Sequence, residues 1–130
     1  MEIERYDKLR DETKLLKIIE NEEGWTYTEK DLFEKYKSAL EKSITYVAYD
    51  GENLFGYSRS INDFDLYIYI CDLLVTSDYR GQGIGKKLME CVQNDYKDFT
   101  IYVMSGVDEY YEKLGYKREG AIFEILTSEL

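Results

Sequence analysis

Polar and apolar positions change period along the chain, and each change marks a change of secondary structure. Residues 2 to 7 alternate weakly and predict an edge strand. From Asp11 to Glu20, Leu15, Leu16 and Ile19 form one apolar stripe at helical spacing, ended by the polar stretch Asn21 to Gly24. A second short helix is expected next. Thr28 has the chemistry of its N-cap, Asp31 stands in the place of the capping acid, and Leu32, Phe33, Tyr36 and Leu40 make its buried face.

The period then falls to two. "SITYVAYDGENLFGYSRSI" predicts a hairpin with strands near 43 to 49 and 54 to 61 and a turn at Asp50 to Asn53. "DLYIYICDLLVT" is a longer β-rich run whose alternation almost disappears, as expected of an inner strand, and only Asp72 interrupts it. After a glycine cluster, Ile84, Leu88, Met89, Val92 and Tyr96 return to helical spacing. "FTIYVM" is another strand, Asp108 to Leu114 another short helix stopped by Gly115, and the tail from Tyr116 offers one or two short strands. A hairpin followed by alternating strands and helices predicts a mixed α/β (α+β) sheet in one domain over residues 1–130.

Charge narrows the partners. The chain holds 27 acidic and 17 basic residues, a formal net charge of −10, so its field opposes nucleic acid and anionic membrane surfaces and suits a cationic small molecule or peptide. Fourteen tyrosines fit either a small core finished with amphipathic side chains or an aromatic-lined cleft. There is no histidine, and the two cysteines, Cys71 and Cys91, lie far apart among apolar residues, which points to buried thiols and away from a zinc site or a disulfide framework. No apolar run reaches membrane-spanning length and "MEIERYDK" has no signal-peptide pattern, so a cytoplasmic location is expected.

The candidate chemistry lies in "VTSDYRGQGIGKKL", a strand, a glycine-rich bend and the start of a helix. A helix entered this way presents unpaired N–H groups and a positive dipole end, an anion site. Hydrogen in place of a side chain at Gly83 and Gly85 leaves those amides open to approach, while Arg80 and Lys86 add charge. The spacing fits neither common nucleotide loop. Counted from Gly81, the last glycine of a dinucleotide fingerprint falls on Lys86, and the interval from Gly81 to Gly85 is one residue short for the nucleoside triphosphate loop.

"RGQGIG" at Arg80 to Gly85 resembles the [Arg/Gln]-x-x-Gly-x-[Gly/Ala] motif of the GCN5-related N-acetyltransferase (GNAT) superfamily. "YYEKLGY" at Tyr110 to Tyr116 resembles that family's second signature, and the order and separation of the two agree with it. The resemblance runs from residue 43 to 116 and implies a central, mostly antiparallel splayed sheet flanked by helices, with acetyl-CoA as acetyl donor. It implies that amides from about Gln82 through Gly83, Ile84 and Gly85 to Lys86 receive the pyrophosphate, and that the pantetheine arm pairs with backbone at Leu73, Leu74 and Val75. Where relatives carry a cofactor-contacting asparagine, this chain offers Ser105 and Asp108. The short tail leaves the seventh strand short, absent or supplied by a partner subunit, which would make a homodimer.

Acyl transfer needs an amine nucleophile, a donor to the developing oxyanion and a proton for the departing thiolate. Without histidine the base must be a carboxylate, a tyrosine or relayed water, and Asp72 is the first candidate, because burial in an apolar strand pushes a carboxyl upward. Read alone, Asp72 fits a capping or paired carboxylate equally well. Tyr111 is the acid the resemblance implies, since a phenol stays protonated at neutral pH. The N–H near Leu74 is the expected oxyanion donor. The expected function is transfer of acetyl from acetyl-CoA to a primary amine of a small molecule or peptide, with a non-catalytic acyl-CoA-binding or structural module as the alternative.

Overall fold

The computed structural model describes residues 1–127 as five strands, four α-helices and one 3-10 turn (Ser77–Tyr79). Strand β1 (Glu2–Arg5) leads into helix α1 (Lys8–Glu20), and α2 (Phe33–Lys42) into the hairpin β2 (Ile44–Asp50) and β3 (Asn53–Asn62). Strand β4 (Ile68–Val75), helix α3 (Ile84–Asp95), strand β5 (Ile101–Val103) and helix α4 (Asp108–Lys113) follow. The sheet order is β1-β2-β3-β4-β5, antiparallel except for the last pair, which is parallel. This is the mixed, mostly antiparallel sheet the sequence predicts.

Local chemistry accounts for the ends. Helix α1 begins earlier than its apolar stripe because Asp7 caps it: the Asp7 carboxylate accepts from Leu9 N–H, and the Asp11 carboxylate accepts from Asp7 N–H at 2.8 Å. The expected cap of α2 is not formed. That helix starts at Phe33 with no side-chain cap, and Thr28 and Asp31 lie in turns instead. Tyr27 explains the delay, since its ring stacks on Tyr36 at 4.0 Å and its hydroxyl is tied to Asp72 on β4, so the chain before Phe33 follows the sheet.

The two sheet faces are packed separately. Leu15, Leu16 and Ile19 of α1, with Tyr36 and Leu40 of α2, cover Val47, Tyr57 and Leu74. Ile84, Leu88, Met89 and Val92 of α3 cover the other face at Tyr46, Phe55, Ile68 and Ile70. Strand β4 thus sends even-numbered residues to both faces. The cause is a one-residue bulge at Cys71: Arg59 pairs with Asp72 but Ser60 pairs with Ile70, so every side chain beyond the extra residue changes face.

The one or two short strands expected in the tail do not form among the described residues, which agrees with an absent seventh strand. Residues 116–127 form neither helix nor strand, and Ile122, Phe123, Ile125 and Leu126 are exposed. Strand β5 is three residues long and offers no edge of sufficient length, while Tyr116 N–H is held by Tyr111 O at the end of α4. Any strand beyond residue 127 lies outside the described residues.

Candidate active site

The sheet opens beside β4. Parallel pairing with β5 covers only Ile68 to Ile70, and the last bond across the pair runs from Met104 N–H to Ile70 O. From Cys71 to Val75 strand β4 has β3 on one side and, among the described residues, no strand on the other. Ladder parity shows which groups face the gap. Thr76 N–H donates to Phe55 O, so Leu74 and Asp72, at alternate positions, exchange their bonds with β3. Leu73 and Val75 turn their N–H and C=O groups outward. The outward-facing N–H nearest the expected position is therefore that of Leu73; Leu74 bonds to β3, its side chain is buried under α1 and its carbonyl closely approaches Gly56.

The gap runs up to the glycine turn. Gly81 and Gly83 adopt φ of +80° and +77°, left-handed values that favour glycine, and a Cβ on either would meet nothing within 4 Å. Gly83 is the N-cap of α3, and Lys87 N–H is the first to bond back to it, leaving the amides of Ile84, Gly85 and Lys86 without intrahelical acceptors. Gln82 and Lys86 are exposed, whereas Ile84 and Gly85 are buried. Gln82 also lines a shallow cavity of about 210 Å³ with Asp50, Tyr79 and Lys87, on the side of the turn facing the β2–β3 hairpin.

Three expected residues play other parts than the sequence suggests. Arg80 is a bracket: its Nε donates to Val75 O at 2.8 Å and its Nη2 to Glu22 at 2.7 Å, joining the end of β4 to the loop after α1. Ser105 donates to the Asp108 carboxylate at 2.6 Å at the start of α4. Asp72 is buried and receives three donors: Tyr27 Oη at 2.8 Å, Tyr36 Oη at 2.7 Å and Arg59 Nε at 2.6 Å. Tyr57 joins the network through Tyr36 at 2.5 Å. Three of the roughly four acceptor positions of this buried carboxylate are taken by protein donors, the arrangement of a paired, structural carboxylate. Neither Arg59 nor the tyrosines that hold Asp72 carry a sequence motif; the fourteen tyrosines were the only signal.

Tyr111 is half-buried against the cluster beneath α3, with Tyr116 stacked beside it. Burial, with smaller contributions from Tyr110 and Tyr116, pushes its phenol up to about 12. It is protonated throughout the neutral range and can give a proton to a thiolate.

An acetyltransferase (GNAT) domain model matches residues 41–118, which takes in the hairpin, the open strand, the glycine turn and α4. The chain belongs to the GNAT acetyltransferase family. The soybean (Glycine max) "Histone acetyltransferase TAP1" is 31% identical over 86 residues, which span 62% of this chain but only 37% of that protein. The GNAT family protein SP0256 of Streptococcus pneumoniae TIGR4 superposes with a TM-score of 0.70 at 25% identity, covering 95% of this chain and 97% of its own. An aminoglycoside acetyltransferase from an uncultured soil metagenomic sample shares the fold with a TM-score of 0.70 at 21% identity, over 98% of this chain and 96% of its own. GNAT membership fits the geometry, because an unpaired strand edge ending at a glycine-capped helix is what an extended, anionic cofactor requires.

Proposed function

We propose that this GNAT protein moves the acetyl group of acetyl-CoA directly to a primary amine of a small molecule or peptide. The observation that carries the reading is the continuity of the outward edge of β4 with the open amides of α3. An amide-bearing arm would extend the sheet along Leu73 and Val75 while its pyrophosphate meets the N–H groups from Gln82 to Lys86. The amine nitrogen attacks the thioester carbon, the C–S bond breaks, and the departing thiolate takes the Tyr111 proton; water accepts the proton lost by the amine, and solvent returns one to the Tyr111 phenolate. Leu73 N–H stabilises the oxygen as it becomes negative.

The net charge of −10 supports a cationic acceptor. A sequence relative is named for histones and a structural neighbour for aminoglycosides, both acceptors that carry amines. The sequestration of Asp72 supports a second reading, an acyl-CoA-binding module without turnover. Free thiol release from acetyl-CoA in the presence of an amine panel separates the two. Amine-dependent release establishes the enzyme, whereas calorimetric CoA binding with no release on any amine establishes the module.

A further inference from the structure

Resting on the acetyl-CoA reading of this groove, we propose that Tyr110 is a further cofactor-binding residue whose hydroxyl joins the α3 amides in holding the pyrophosphate. The two adjacent tyrosines of α4 diverge, with ring planes at 81° and centroids 5.0 Å apart. Tyr111 turns into the cluster with Leu114 and Tyr116. Tyr110 turns to the first turn of α3: a methyl group at Gly85 would stand 2.5 Å from its hydroxyl oxygen and 3.7 Å from Leu73 Cδ2. That hydroxyl therefore lies against the first turn of α3, on the side of Gly85 where the Leu73 side chain of β4 also packs.

The glycines divide accordingly. Gly83 is open on its Cβ side and leaves the ligand's path clear, whereas Gly85 is buried and lacks a side chain to admit Tyr110. The Tyr110 side chain is 39% exposed, and its hydroxyl makes no hydrogen bond among the described residues. A free phenol O–H beside three amides without acceptors adds a fourth donor of matching polarity, and hydrogen bonds to charged oxygens are the stronger class. Tyr110 would thus serve the anionic end of the cofactor and Tyr111 the sulfur end.

The test is calorimetric titration of the whole chain with CoA and with 3′-dephospho-CoA, which share the pyrophosphate. Tyr110→Phe is expected to weaken both by about tenfold. Gly85→Ala, which places a methyl where the hydroxyl lies, should show the same loss, and the double variant should lose no more than either alone. Unchanged or tighter binding by Tyr110→Phe, in a protein whose wild type binds CoA, overturns this inference and leaves the acetyl-CoA reading intact. A loss seen with CoA but not with 3′-dephospho-CoA overturns the pyrophosphate assignment. A wild-type protein that binds neither ligand overturns the acetyl-CoA reading itself. Should Gly85→Ala fail to fold, Tyr110→Phe alone decides.

Discussion

At the scale of single residues, geometry separates side chains that the sequence presents as equals. Asp72 and Tyr111 are both polar groups amid apolar ones, yet Asp72 is enclosed by Arg59, Tyr27 and Tyr36 while Tyr111 carries a proton at neutral pH. Asp72→Asn leaves the half-buried Arg59 without its counter-charge, and breaking a buried pair in this way costs about 3–5 kcal/mol. Denaturant unfolding should show a loss of that order, and the pH–rate profile of the folded variant should keep its wild-type shape. Disappearance of an alkaline rise in rate would restore Asp72 as the base. Tyr111→Phe should retain CoA affinity while lowering turnover by roughly tenfold to a thousandfold. Turnover at the wild-type level on a confirmed acceptor would reduce Tyr111 to packing. Gly83→Val places a β-branched side chain at φ +77° beside the open amides. It should raise the CoA dissociation constant at least tenfold, or about 1.4 kcal/mol, and a folded variant of unchanged affinity would remove the turn from the site.

Among elements, stability and function meet where α1 and the segment before α2 clasp the sheet. Asp11 is fully buried: burial alone would push its carboxyl up, but bonds from Arg10, Tyr49 and Asp7 N–H hold it below its ordinary value. A carboxyl lowered by folding contributes stability that is present above the unfolded pKa, about 3.9, and is lost as pH falls through the folded value. Asp11→Asn should therefore be less stable at pH 7 and show a flatter decline below about pH 4; a parallel decline in the two proteins would contradict the linkage. What was legible in the sequence follows from the same distinction between local and distant forces. The α3 stripe, the hairpin and the glycine turn are local patterns, and they stand close to where they were expected. The start of α2 was hidden because Tyr27 answers to Asp72, 45 residues away. The change of face in β4 was hidden because a bulge at Cys71 leaves no mark in an almost uniformly apolar run. The glycine motif pointed to an anion site as an expectation, but it could not show that Arg80 bonds to Val75 and Glu22, or that Gly85 makes room for Tyr110.

Over the whole molecule, the governing quantity is the excess of carboxylates. Two charge pairs involve β4 and its end, Asp72 with Arg59 and Glu22 with Arg80, and the remaining excess that makes the net charge −10 is spread over the chain as a diffuse field. A diffuse field steers an approaching ligand and does little for one already seated, and at an ionic strength of 0.1 M it is screened over about 10 Å. It also helps keep an approaching ammonium protonated, so attraction cannot by itself generate the nucleophile. The expected consequence is kinetic: polycationic amines should exceed neutral and acidic acceptors in kcat/KM, and added salt should erode that advantage through the second-order rate constant while leaving kcat nearly constant. The same salt should strengthen CoA binding, because the field that attracts an amine repels an anionic cofactor. Measuring kcat/KM for a polyamine, a neutral amine and an acidic peptide between low and high ionic strength, alongside CoA titrations in the same buffers, reads both halves of this claim. If acidic acceptors win and their rates do not respond to salt, net charge has no part in acceptor choice.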